Sequence, residues 1–66
     1  MLTETQKKLI NQIAIDEESG NHFVCARSTE YWEMSRRLNL AFDNKNKQAD
    51  DIELINEYRN CFYSVK

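Results

Sequence analysis

Proline is absent from this chain, and glycine occurs once, at Gly20, in 66 residues. Small strand-built domains turn the chain repeatedly, and those turns draw on Gly, Pro and Asn-Gly pairs. A chain with almost none of that chemistry reads as helical, with Gly20 as its one strong stop signal. At this length it is a single all-α domain over residues 1–66. A domain so short buries only about 60% of the surface its unfolded chain exposes. Such domains often add a disulfide, a metal or a second subunit. The apolar fraction of 41% is enough for a globular core, which argues against wholesale disorder.

Periodicity and capping divide the chain into three helices, at roughly 3–19, 22 or 28 to 43, and 47–64. Thr3 and Gln6 have the spacing of a capping box, in which hydroxyl and amide each satisfy a free backbone N–H. Leu9, Ile10, Ile13 and Ala14 form one apolar stripe on the first helix. Asp16, Glu17 and Glu18 follow near its end, where they oppose the helix dipole, and Ser19-Gly20-Asn21 stops it. The second helix has two candidate starts. It begins near Asn21, or at Ser28 or Thr29 with Phe23–Ala26 as an extended connector that a short strand over Phe62–Val65 would pair. In either case Tyr31, Met34, Leu38, Ala41 and Phe42 share a face. Asp43–Lys47 has loop chemistry, and the third helix starts between Asn46 and Asp50. Its main stripe is Ile52, Ile55, Tyr58 and Phe62, widened by Leu54, Cys61 and Val65. Connections this short favour neighbouring, roughly antiparallel helices.

Charge excludes little and favours little. Eleven acidic residues against nine basic ones leave a net charge of −2, without the basic excess usual in nucleic-acid binders. Lys7 and Lys8 precede Leu9 and Ile10, but polar Asn11 and Gln12 then break any secretory apolar core. No stretch approaches the roughly 18 apolar residues of a membrane span. The expectation is a cytoplasmic chain without membrane contact, its two thiols reduced.

The chemistry-bearing residues do not assemble into a reaction. His22 and Cys25 are three apart and Cys61 is distant, whereas zinc takes four ligands, usually in paired spacings. No metal site is expected, and both cysteines read as small apolar residues. A Cys25 nucleophile with His22 as its base lacks an orienting third residue and a Gly-rich oxyanion loop. The carboxylates of Asp16–Glu18 and Asp50–Glu53 sit at helix ends, where solvated or capping roles are usual. No phosphate-loop or dinucleotide fingerprint is present, since both need several glycines. No catalytic residue, cofactor or small-molecule substrate is therefore assigned, and the chain is expected not to be an enzyme.

Four apolar residues remain on the wrong side of their helices. Adjacent helical residues point about 100° apart, so Tyr31-Trp32 and Phe62-Tyr63 cannot each share one narrow stripe. With Tyr31, Leu38 and Phe42 facing the core, Trp32 falls among Ser28, Thr29, Ser35, Arg36, Asn39 and Asp43. Leu40 falls among Glu33, Arg36, Arg37 and Asn44; Tyr63 among Asn56, Arg59 and Asn60; Ile15 among Asn11, Gln12 and Ser19. Either a broad core absorbs Trp32 at its edge, or these side chains form a surface for another protein. Trp, Tyr and Arg are the types enriched among binding hot spots. The expected partner-binding residues are Trp32, Arg36, Leu40, Tyr63 and Ile15. The function read from them is regulation or inhibition of a larger protein by occlusion, with homodimerisation as a way to supply missing burial. Small chains of this composition are common among phage and mobile-element products that act on host proteins. The alternative is a dimeric DNA-binding transcriptional regulator. It would use Ser35, Arg36 and Asn39 of the second helix on base edges, with Arg27, Arg37, Lys45 and Lys47 nearby, against the repulsion of Glu30, Glu33 and Asp43.

Overall fold

The computed structural model describes residues 1–20 and 28–64, and they form three helices, each packed against the other two. These are α1 (Glu4–Ser19), α2 (Thr29–Asp43) and α3 (Ala49–Ser64). Among the described residues there is no strand. Nor, among them, is any helix long and apolar enough to cross a membrane.

Local chemistry sets each helix end. The Thr3 hydroxyl accepts from Gln6 N–H at 3.1 Å, and Gln6 Oε1 accepts from Thr3 N–H at 2.8 Å, completing the capping box. Gly20 closes α1 at φ 72°, in the left-handed region that L residues rarely adopt. Ser28 caps α2, its hydroxyl accepting from Tyr31 N–H at 3.2 Å, so this helix takes the later of its two starts. Asn21–Arg27, including the extended connector, lie outside the described residues. The strand considered at the C-terminus is corrected, because the chain there is helical through Ser64.

The loop between α2 and α3 is short because side chains satisfy its backbone. Lys47 Nζ donates to the carbonyls of Phe42 (3.1 Å) and Asn44 (2.7 Å), placing a cation at the negative end of α2. Asp51 Oδ2 accepts from Gln48 N–H at 3.0 Å and from Asn44 Nδ2 at 3.2 Å. One carboxylate thus both caps α3 and ties the loop to it.

Ile10, Ile13, Tyr31, Met34, Leu38, Ala41, Leu54 and Ile55 make the core. Leu54, expected only to widen the α3 stripe, is 1% exposed and lies at its centre, while Ile52 is 48% exposed. The two residues point about 200° apart on a helix, so a rotation that seats Leu54 puts Ile52 in solvent. Phe42 is a smaller correction: it is 39% exposed and packs edge-on against Tyr58 at the rim of the core. Asp16 is a third correction. It does not stand in solvent with Glu17 and Glu18 but is 5% exposed, held by hydrogen bonds from Tyr31 and Gln12. A carboxylate tolerates burial only with such partners.

Candidate functional site

The second helix separates the adjacent aromatics cleanly. Tyr31 is buried, whereas Trp32 is 45% exposed, its ring edge-on to Tyr31 at 5.0 Å between centroids. Trp32, Arg36 and Leu40 follow at four-residue intervals, which places them in one stripe along the outer side of α2. Arg36 is exposed and Leu40 is 60% exposed. The indole is braced at its base by a fixed neighbour and open over much of its surface. Such a ring loses little freedom when a partner covers it.

Ile15 and Tyr63 are also exposed, at 38% and 67%, but they stand on other helices, outside this stripe. Tyr63 instead ends a run of rings. Phe42 meets Tyr58 at 5.7 Å, Tyr58 stacks on Phe62 at 5.8 Å, and Phe62 meets Tyr63 at 6.0 Å. The five expected residues therefore divide into an α2 stripe of three, a terminal aromatic and a separate aliphatic on α1.

A cleft of about 300 Å³ lies where the helices meet beside this run, lined by Ile13 and Glu17 of α1, Ser35, Leu38, Asn39 and Phe42 of α2, and Tyr58 of α3. Burial raises the Tyr58 phenol above its ordinary pKa, and the Glu17 carboxylate raises it further. Sequence reasoning missed this cleft. Phe42 and Tyr58 are 16 residues apart on different helices, and each read as an ordinary core position. Only the packing of three helices leaves a gap between them.

Among the described residues, reactive groups are not gathered at either surface. The Cys61 thiol is half-buried and donates to Glu57 Oε2 at 3.9 Å; burial first and Glu57 second push its pKa up, away from the thiolate. Among the described residues, no group of three or more His, Cys, Asp or Glu side chains could hold a metal ion. His22, Cys25 and Arg27 lie outside the described residues. No protein-family model matches this chain, and neither the curated proteins nor the solved structures contain a match to it.

Proposed function

We propose that this protein is a small non-enzymatic interaction module that regulates or inhibits a larger protein by covering part of its surface, alone or as a homodimer. One observation carries the reading. The single tryptophan of the chain stands on the outer side of α2, 45% exposed, in line with Arg36 and Leu40. Fully covering a large aromatic ring is worth several times what a rim contact contributes, and a chain of this size gains by having a partner supply that burial. Trp32 is the anchor, Arg36 and Leu40 extend it, and Tyr63 and Ile15 are separate contacts.

The test is affinity capture from cells of the native host with the parent chain and with Trp32→Ala side by side, together with the solution mass of the isolated protein. A partner retained by the parent and lost from the variant, at unchanged helix content, supports the proposal. A doubled mass that reverts to the monomer in the variant assigns the same surface to a second copy. Unfolding of Trp32→Ala would mean that the indole belongs to the core, and the proposal would fall.

A further inference from the structure

We infer that the outer side of α2 pairs with the same side of a second copy of this chain, the two helices running antiparallel about a two-fold axis near Ser35. This deepens the interaction reading by committing its surface to one occupant, and it rests on that reading for Trp32 being an anchor.

The argument is one of charge order. Trp32, Glu33, Arg36, Arg37, Leu40 and Asp43 are all exposed along α2. No ion pair among the described residues takes up Glu33, Arg36, Arg37 or Asp43. Glu33 and Arg37 are four apart, so they stand on the same flank of the Trp32–Arg36–Leu40 stripe. Two such helices set face to face in parallel bring every residue level with its own copy, Glu33 with Glu33 and Arg37 with Arg37, and like charges repel. Turned antiparallel about an axis at Ser35, the same flanks meet, but Glu33 stands level with Arg37 of the second copy. Symmetry supplies that pair twice. The same register places the stripe. Trp32 comes level with position 38 of the second copy and so falls between that copy's Arg36 and Leu40, which offer a cation and an aliphatic side chain to the indole. The two Arg36 side chains meet near the axis, each one residue from the level of a Glu33 carboxylate. Asp43, in the last turn, comes level with the start of α2 in the second copy, where a helix N-terminus favours negative charge. An unrelated partner would not require a charge order that complements itself. A helix of 15 residues is about 22 Å long, which keeps the contact at the small end of specific interfaces and its affinity in the micromolar range.

The test is sedimentation equilibrium of the full chain at concentrations from about 1 μM to about 1 mM, a range that brackets the expected dissociation constant. The parent chain is expected to pass from monomer to dimer across it. Glu33→Lys leaves only basic charge at the centre of the face, and the double variant Arg36→Glu, Arg37→Glu leaves only acidic charge there. Each is expected to weaken self-association at least tenfold. Mixing the two variants puts opposite charges back across the axis and is expected to restore the dimer, as a heterodimer identified by native mass spectrometry. All three positions are exposed, so helix content should hold in both variants. A monomer at every concentration, a dimer indifferent to either variant, or no heterodimer in the mixture would each overturn the inference. Monomeric behaviour together with capture lost in Trp32→Ala ends this inference and leaves the interaction reading standing. A charge-swapped heterodimer together with unchanged capture in Trp32→Ala does the reverse.

Discussion

The Tyr31 hydroxyl donates to Asp16 Oδ2 at 2.6 Å, joining the last turn of α1 to the first turn of α2 through two side chains that are almost wholly buried. Asp16 also accepts from Gln12 Nε2 at 3.1 Å, so its carboxylate is bonded from its own helix and from the next. The contact fixes the rotation of α2 at its start. With the Tyr31 ring turned inward, the following residue turns outward, and Trp32 becomes surface.

Tyr31→Phe keeps the ring and removes the donor. A buried hydrogen bond to a charged group contributes roughly 1.5–3 kcal/mol, and its loss leaves the carboxylate less well satisfied. The expected result is a destabilisation of about 2 kcal/mol and a fall in Tm of roughly 10 °C for a domain of this size, read by thermal and urea unfolding. A loss under about 0.5 kcal/mol, the range of ordinary surface substitutions, would show that the pair does not hold α1 to α2.

Trp32→Ala and Leu54→Ala should behave oppositely. Leu54 is 1% exposed at the centre of the core, and truncation there costs about 2–5 kcal/mol. That is enough to unfold much of a marginal 66-residue domain. Trp32→Ala should cost about 1 kcal/mol, because half of the ring is already in water and only its base rests on Tyr31. Parallel urea titrations separate the two.

The fluorescence of Trp32 reports on its own surface, since the chain has no other tryptophan. In the free monomer it should be quenched readily by acrylamide and iodide. Binding of a partner over α2 should shift its emission to the blue and shield it from both quenchers. An indole already shielded in the isolated monomer would contradict the exposure seen here.

Thr3→Ala removes one half of the capping box and should cost about 1 kcal/mol, with fraying confined to the first turn of α1. Hydrogen exchange at the Gln6 amide, which now donates to the Thr3 hydroxyl, should quicken while amides around Ile13 change less. Uniform acceleration along α1 would mean that the cap governs the whole helix.

Cys61 should resist alkylation near neutral pH. Its thiol pKa is raised by burial and then by Glu57, so little thiolate forms there. Glu57→Gln removes the second influence and should speed reaction with iodoacetamide, followed at Cys61 by peptide mass. The same shift has a stability consequence. A thiol whose folded pKa lies above its unfolded value keeps its full contribution below the unfolded pKa and loses it as pH rises through the folded one. Tyr58 is shifted in the same direction. Stability should therefore decline on the alkaline side, beginning near the ordinary thiol range of about pH 8.5, and a denaturation series from pH 7 to 11 would show it.

Local signals in the chain marked the three helices because each depends on neighbours in sequence. The Thr3–Gln6 box, the Gly20 stop and the polar Asp43–Lys47 run all act within a few residues. The outward side of α2 was legible for the same reason: once Tyr31 and Leu38 face inward, four-residue spacing carries Trp32, Arg36 and Leu40 to the opposite side. Periodicity was less decisive on α3, where apolar residues at 52, 54, 55, 58, 61 and 62 allow more than one inward face. Packing selected the face led by Leu54.

By itself, then, the sequence determined an all-α chain, the capped start and glycine stop of its first helix and an aromatic residue with no place on a narrow core stripe, because these follow from backbone capping and side-chain period; it left two starts open for the second helix. Tertiary structure alone decided that Asp16 is buried under the Tyr31 hydroxyl, that Ile52 faces water, and that Glu17, Phe42 and Tyr58 enclose one cleft. Each of these depends on how helices are rotated against one another. That rotation is set by which side chains fit together across the bundle, a relation between residues far apart in the chain that no local pattern encodes.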